Sequence, residues 1–580
     1  MKAGFRQEII FPLLVAVLAL LVYANTFHNG FVYDDFREVT ENPLVRSLDF
    51  SEIFRIYFRQ PGSDSPPARV TPLFTYALQH AFHGLEPAGY HLVNILLHGL
   101  ISLLIYGIVL RLFPGWNRLA FLTAVLFALH PVHADVVNPV AGRSELLASA
   151  LSLLILLLYL KNTPAPRSAR GPWFWFTLPL FLLAVLSKET SWSLPLLMAG
   201  CDFYRFRAWP VLRHRLRAFY LPYLLVPVLI FAVILIAGYG PGAGSGWANF
   251  LRHLPLLPRL AAAVGIFARY LVILAFPLRL SCDYGYAQLS YQPSAVRLLW
   301  TAGGILAGAA GLGLALASLK KTGRYLLAVW LFAAPYLIVS NLVVVINTPM
   351  AERLLYLPSW GFCLLLALAV SDLLRRAGRG STARRVLLLL PAGIIVFYGL
   401  RTWNRNRDWR SQTVLMEAAL EVCPMSGRVH YNLGRAYELE NRLEEALVHY
   451  RMAAAILPLN PGMHLNLGNV LVQFGRREEA AAAYREVIRL APADPRGYSN
   501  LGRVSGEMDR WGEAAAAYRR AAELAPADPV IQNSLGIALY RAGDRAGSAR
   551  AFRQSLALDP GLADPRRNLE LLQADPGGGW

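Results

Sequence analysis

The chain has 580 residues, 55% of them hydrophobic and 16% charged, with a mean hydropathy of +0.39, which is too apolar for an ordinary soluble protein of this length. The net charge of +19 is unevenly placed: residues 1–407 carry 36 basic and 16 acidic side chains, whereas residues 408–580 carry 20 and 21. A basic excess confined to the apolar part argues against nucleic acid as its cause and for loop arginines that orient a membrane protein.

The first apolar run, 9–27, follows Lys2 and Arg6. A signal peptide cleaved after Val22-Tyr23-Ala24 would look similar, but the run reaches spanning length, so a retained signal anchor is expected. Directly after it comes Phe31-Val32-Tyr33-Asp34-Asp35. Two carboxylates held together resist double ionisation, which suits a general base or a cation site; a hydrated turn or a helix cap is the competing reading.

Further apolar runs at 92–110, 119–130, 144–160, 173–187, 190–204, 219–237, 260–278, 298–318, 326–345, 354–374 and 386–403 read as spans, about 11–13 in all. His91 and His98 on the second run read as packing or polar-network residues. Polar groups then gather at the ends of spans: His130, His133 and Asp135; Arg143 and Glu145; Lys188 and Glu189; Glu352 and Arg353. Charges there are costly unless paired or used. Arg143, Lys188 and Arg353 are candidates to bind a phosphate head group, with His130, His133, Asp135, Glu145, Glu189 and Glu352 as supporting polar residues. No third ligand stands at helical spacing with His130 and His133, so a helix cap is expected there and no metal site. Arg269, inside an apolar run, either snorkels or faces a cavity.

Basic clusters fix an expected orientation. Lys2/Arg6, Lys161/Arg167/Arg170, Arg205/Arg207/Arg213/Arg215/Arg217, Lys320/Lys321/Arg324 and Arg375/Arg376/Arg379/Arg384/Arg385 belong in the cytoplasm. Loop 28–90, loop 131–143, the segment from Asn341 to Arg353 and everything after the last span then lie outside it. Runs 219–237 and 260–278 would both have to run outward, which calls for a re-entrant or interfacial piece around Trp247 to Arg259. Arg401, Arg405, Arg407 and Arg410 follow the last span on the side where basic residues are less favoured. Four scattered cysteines, Cys201, Cys282, Cys363 and Cys423, form no CxxC pair. No GxGxxG, Walker A, HExxH or GxSxG arrangement sits on a suitable element, which argues against a nucleotide-dependent soluble-type active site.

The last third repeats every 34 residues. Leu433-Gly434, Leu467-Gly468, Leu501-Gly502 and Leu535-Gly536 are followed by Ala446, Ala480, Ala514 and Ser548, then Tyr450, Tyr484, Tyr518 and Phe552, then Pro458, Pro492, Pro526 and Pro560. This is the order of a tetratricopeptide repeat: small residues let two antiparallel helices approach, an aromatic fills the gap between neighbouring repeats, and proline ends the second helix. The expected fold is all-α, a polytopic helical domain at 1–407, a half repeat or connector at 408–426, four repeats at 427–460, 461–494, 495–528 and 529–562, and a cap and tail at 563–580. First-helix residues Asn432, Arg435, Asn466, Asn500, Arg503 and Asn533 line the expected concave face as acceptor-binding candidates. Asparagine there either bonds an extended peptide backbone or ties adjacent repeats together.

Several segments together resemble the transmembrane and tetratricopeptide repeat-containing family, membrane O-mannosyltransferases of the GT-C class. They are Asn29-Gly30-Phe31-Val32-Tyr33-Asp34-Asp35; Thr71-Pro72-Leu73; Gly89-Tyr90-His91-Leu92-Val93-Asn94 with Leu97-His98; Phe127-Ala128-Leu129-His130-Pro131-Val132-His133; Gly142-Arg143-Ser144-Glu145-Leu146-Leu147; Ser187-Lys188-Glu189; and Ala351-Glu352-Arg353 with Leu355-Tyr356-Leu357-Pro358-Ser359. The resemblance implies a polyprenyl-phosphate sugar as donor, Asp34 or Asp35 as catalytic base, and transfer outside the cytoplasm. Two departures stand out. Thr71 occupies the place of the family's usual arginine, with Arg69 two residues earlier, and the repeat array is short.

The reading that follows is a glycosyltransferase moving a mannose-like sugar from a polyprenyl-phosphate carrier to serine or threonine hydroxyls of an extracytoplasmic polypeptide, which the repeats bind. Its partners are the bilayer, the lipid-linked donor and the acceptor; no cofactor beyond the donor is assigned and a divalent metal is left open. The main alternative is a non-catalytic membrane scaffold whose repeats assemble an envelope complex. A second is the same chemistry on a glycan or lipid acceptor. A transporter lacks the paired broken helices of two similar halves.

Overall fold

The computed structural model describes residues 2–48, 51, 69–236, 249–284, 295–377 and 381–574. Part of loop 28–90, Trp247 and Ala248, Arg379 and the last residues of the tail lie outside these; the rest of the piece from Trp247 to Arg259 expected to re-enter or lie at the interface forms the short turn Phe250–His253 and the start of helix Leu256–Ala275. The chain divides into two compact units, Met1–Cys423 and Pro424–Trp580, and no strand occurs among the described residues.

In the first unit each of the twelve apolar runs carries a helix, but their lengths differ. Among the described residues, seven helices are long and apolar enough to cross a membrane: Gln7–His28, Pro87–Leu112, Val140–Asn162, Trp209–Val233, Leu256–Ala275, Ala295–Leu319 and Thr382–Trp409. An eighth candidate is broken, Asn117–Ala128 and Pro131–Val137 meeting at 47°; Pro131 has no N–H to continue the first helix. Pro172–Val185 and Arg324–Val339 are apolar but shorter. The expected 11–13 spans exceed this number because hydropathy finds apolar runs, whereas caps and breaks set helix length. The run to 345, for instance, stops being helical at Val339, and Asn341 follows at φ +60°. These features define a multi-pass membrane protein.

The first helix, Lys2–Val22, is built into the bundle. Val15, Ala19 and Tyr23 are fully buried, and Asn406 donates to the Val22 carbonyl at 2.8 Å. One expected solvated loop arginine is nothing of the kind. Arg215 is fully buried, pairs with the equally buried Asp202 at 3.1 Å, and donates to the carbonyls of Thr163 and Ala165; Tyr159 and Tyr220 donate to the same carboxylate.

The second unit stacks four helix pairs, Gly427–Leu439 with Leu443–Ile456, Pro461–Gln473 with Arg477–Leu490, Pro495–Glu507 with Trp511–Leu524, and Pro529–Arg541 with Arg545–Leu558, followed by Ala563–Ala574. Ser426, Asn460, Asp494 and Asp528 cap the first helices with side-chain oxygens, and proline leads three of them, where its missing N–H is harmless. The repeated glycine and aromatic face each other within one repeat. A Cβ on Gly434, Gly468, Gly502 or Gly536 would come within 2.9, 2.5, 2.8 or 2.5 Å of the ring of Tyr450, Tyr484, Tyr518 or Phe552. The aromatic therefore closes its own helix pair, and it also reaches the next repeat: Arg503 donates to the Tyr484 hydroxyl at 3.5 Å, and Tyr518 packs against the cluster that holds Ile531, Leu535 and Ala538. Helix Gln412–Val422, expected in the connector, falls in the first unit.

Candidate functional site

The segment that carries the paired aspartates is pinned at three points. Asn29 donates to the Asn406 carbonyl at 3.1 Å, Gly30 N–H to the Arg410 carbonyl at 3.1 Å, and Tyr33 N–H to Gln412 Oε1 at 2.7 Å. Tyr33 takes φ +56°, a left-handed conformation uncommon for a side chain of its size. These anchors hold the turn, and the two aspartates on its far side meet different surroundings. Asp35 is fully buried; its Oδ1 accepts the Ala141 N–H at 2.7 Å and its Oδ2 the Val32 N–H at 3.1 Å. Burial pushes its carboxyl up to about 7 against the pull of those backbone bonds. Asp34 is half-buried, and its carboxylate has no hydrogen-bond partner among the described residues.

Asn138 joins this turn to the bundle. It contacts Asn29 at 3.5 Å and donates to Asn406 Oδ1 at 3.0 Å, while His91 bonds the Asn29 carbonyl at 3.1 Å. Arg143, expected to meet a phosphate, is instead spent on structure. It is fully buried and donates to Asn94 Oδ1 at 3.0 Å, the Tyr90 carbonyl at 2.9 Å, Thr75 Oγ1 at 3.4 Å and Gln79 Oε1. Its guanidinium lies 4.8 Å from the Tyr76 ring centroid. A guanidinium this fully committed ties the Val70–His83 and Pro87–Leu112 helices to Arg143–Asn162 and has no free fork for a substrate.

Three cations remain. Arg69, just outside the family motif in sequence, reaches the site: it donates to Ser144 Oγ at 2.7 Å and lies 3.9 Å from Glu189. Its side chain is 42% exposed, and its charge opposes that of Asp35 at the buried Tyr76. Lys188 is buried in an ion pair with Glu145 at 3.0 Å, and Glu145 accepts from Ser149 at 3.3 Å. Arg353 is partly exposed, and its backbone N–H donates to Asp135 Oδ2 at 2.9 Å. Glu352 beside it is fully buried, its Oε1 accepting from Ser281 N–H at 2.5 Å and Tyr284 O–H at 2.6 Å. Burial is the chief cause that pushes its carboxyl well above the usual range, with Arg405 opposing.

The histidines are joints between helices. His130 bonds the Leu274 carbonyl at 3.0 Å and accepts from Val132 N–H, His133 bonds Ser359 Oγ at 2.8 Å, and His98 bonds Tyr356 O–H at 2.7 Å. The arginines after the last span are also engaged: Arg401 donates to the Pro277 and Leu278 carbonyls, and Arg405 to Asp408 at 2.8 Å. Neither is a free loop charge, but Arg407 and Arg410 are exposed, so the conflict with the expected orientation stands. Sequence reasoning missed Arg405, Ser281 and Tyr284. The recurrence of asparagine at the ends of runs, Asn29, Asn138 and Asn406, was the available signal for the polar knot.

In the repeats, three of the acceptor-binding candidates are joints between neighbours. Asn466 donates to Tyr431 O–H at 2.9 Å, Asn500 to Asn469 at 3.4 Å, and Asn533 accepts from Asn568 at 3.2 Å. Arg435 is exposed and Asn432 partly so. Arg503 pairs with Glu507 at 3.1 Å beside a cavity of about 210 Å³ that Trp511, Tyr518 and Ser534 also line.

Fold and site together define a multi-pass membrane protein with a polar, charge-lined end and a helical repeat array. The tetratricopeptide repeat family is matched over residues 410–464, 465–529 and 500–563. Among curated proteins, the chain is 27% identical over 447 residues to protein O-mannosyl-transferase F38B6.6 of Caenorhabditis elegans, covering 75% of this chain and 61% of that one. It is 27% identical over 496 residues to protein O-mannosyl-transferase TMTC4 of Mus musculus, covering 76% and 65%, and 28% identical over 478 residues to TMTC3 of the same organism, covering 77% and 50%. The chain is thus similar to protein O-mannosyl-transferases, in line with its motifs, and spans from half to about two thirds of the length of these three. Among solved structures, the crystal structure of MamA protein is 19% identical, covering 25% of this chain and 80% of that one at a TM-score of 0.24.

Proposed function

We propose that this protein transfers a mannose-like sugar from a polyprenyl-phosphate donor to serine or threonine hydroxyls of a polypeptide on the extracytoplasmic face. The observation that carries the reading is the contrast between the two aspartates. Asp35 spends both oxygens on backbone N–H groups, which leaves the unpartnered carboxylate of Asp34 as the base. Asp34 takes the acceptor proton as the hydroxyl oxygen attacks the anomeric carbon. The new carbon–oxygen bond forms as the bond to the phosphate oxygen breaks, and the phosphate leaves with the electron pair, with inversion at carbon. Arg69, Lys188 and Arg353 stabilise the charge that grows on that phosphate. Asp135, Glu145 and Glu189 hold these cations in place through the contacts described above.

The repeats capture the polypeptide and raise its local concentration. Arg503 and the cavity beside Trp511 are better suited to this than the asparagines, whose amides are already engaged between repeats.

The test is transfer from a panel of polyprenyl-phosphate sugars to envelope proteins by the purified full chain and by Asp34→Asn. The variant should remain folded and lose ~10²–10⁴-fold in kcat, the usual share of a general base. A fully active Asp34→Asn removes the assigned base. If no donor is consumed by the wild type while the repeats still retain envelope proteins, the scaffold reading replaces the enzyme.

A further inference from the structure

One buried cation has no part in the mechanism above. Arg405, in the last turn of Thr382–Asn406, is 1% exposed and donates through Nη1 to Asp408. Its Nε and Nη2 atoms, which form the forked edge that grips a carboxylate or phosphate, are buried and have no partner among the described residues. Glu352 is 0% exposed, and its Oε2 is likewise buried and unpartnered. The two groups are near enough for Arg405 to act on the Glu352 carboxyl electrostatically, yet their open atoms do not meet.

The chemistry of the open atoms is legible from their partners. Glu352 Oε1 accepts twice, from Ser281 N–H and Tyr284 O–H, so in the neutral form of the carboxyl Oε1 keeps the acceptor role and Oε2 carries the proton. Burial favours that neutral form. The cluster therefore offers Arg405 Nε–H, Arg405 Nη2–H and Glu352 Oε2–H, three buried donors lacking an acceptor. Such a set is unusual in a native interior, where buried donors are nearly always satisfied, and it complements an oxyanion. The cluster is also continuous with the candidate site. Arg405 adjoins Asn406 of the asparagine knot, and Glu352 adjoins Arg353, which Asp135 holds by its N–H.

We propose that the Nε/Nη2 edge of Arg405 and Oε2 of Glu352 form a buried oxyanion site that takes the phosphate of the lipid-linked donor. The identity of the anion rests on the transferase reading; the donor set does not.

The probes are farnesyl phosphate, farnesol and inorganic phosphate, titrated by thermal shift and direct binding against the full chain in nanodiscs. The wild type should bind farnesyl phosphate and not farnesol. Displacement by inorganic phosphate would identify phosphate as the recognised group, and failure to displace would assign the site to the lipid-borne phosphate alone; both support an oxyanion site. Arg405→Lys keeps the charge but loses the fork, and should weaken farnesyl phosphate at least ~10-fold. Glu352→Gln keeps the acceptor at Oε1 and places N–H donors at the open position, so its affinity should stay within about threefold. Glu352→Leu, which has no donor, should lose binding and keeps the test decisive if Arg405→Lys does not fold. Equal affinity in Arg405→Lys, equal binding of farnesol, or no binding by the wild type, as for a site that holds internal water only, overturns the proposal. An unchanged donor KM in an active Arg405→Lys rejects this site and leaves the transferase standing. Farnesyl phosphate bound through Arg405 without any sugar transfer keeps the site and rejects the transferase.

Discussion

Asp35 works by holding two backbone N–H groups, and its burial makes that work depend on pH. Its carboxyl is pushed to about 7, whereas an unfolded aspartate titrates near about 3.9. The folded state therefore binds the proton more tightly, so the stability that Asp35 contributes is greatest at low pH. It falls as pH rises from about 4 towards about 7 and is level above that. Asn in its place does not titrate but has only one oxygen for two donors, a pH-independent loss of about 1–3 kcal/mol for the orphaned N–H. The measurable quantity is the difference in Tm between wild type and Asp35→Asn in the purified full chain from pH 4 to 8. It should shrink with rising pH, and a difference that grows would mean the carboxylate is ionised throughout. Arg143 makes the complementary point: its bonds run to side chains and carbonyls of helices it joins, so Arg143→Lys should lower Tm while leaving the donor KM of the folded fraction unchanged.

At the scale of elements, close approach governs the repeats. Gly468 lies against the Tyr484 ring so tightly that an added Cβ would come within 2.5 Å of it, and that ring is itself fully buried. Gly468→Ala should push the helices Pro461–Gln473 and Arg477–Leu490 apart and cost about 1–3 kcal/mol, typical of overpacking. Hydrogen exchange in the full chain should show faster opening of those two helices, and the second substitution Tyr484→Leu should restore part of the protection. Protection unchanged in Gly468→Ala would show that the ring has room to move. The repeats were legible in the sequence because their period is an exact count of residues, but the pairing of glycine with the aromatic of its own repeat was not, since a period fixes spacing and leaves partners open. The same limit applies to the spans. Hydropathy located a helix in each apolar run but not Val70–His83, while the 47° break before Pro131 and the stop before Asn341 depend on backbone geometry. For the candidate site, motif and charge named Asp34, Asp35, Lys188 and Arg353 as candidates. They could not tell that Arg143 is saturated, that Arg69 reaches Ser144, or that Arg405 is open, because those facts are settled by contacts with other helices, which for Arg143 and Arg69 lie 49 to 75 positions away.

Across the whole molecule, the basic excess of the membrane unit and the near-neutral repeats use charge differently. The membrane unit buries its charges in fixed contacts, such as Asp202 with Arg215 and Glu145 with Lys188. The repeat ion pairs, by contrast, are surface pairs such as Arg451 with Glu479 and Arg485 with Glu513, which contribute little stability each. Surface charge on the repeats can therefore be altered without unfolding them, and it is there that acceptor selection should be most easily changed. Arg503→Glu reverses one charge beside the cavity at Trp511 and gives up an exposed pair with Glu507 at 3.1 Å and a longer contact with the Tyr484 hydroxyl at 3.5 Å. If the repeats hold the polypeptide, KM for protein acceptors should shift by ~10-fold or more, the scale of one lost charge-assisted contact, while kcat at saturation and transfer to a short serine peptide stay as in the wild type. Equal KM for protein and peptide acceptors in both forms would separate the repeats from acceptor binding and return them to a purely assembling role.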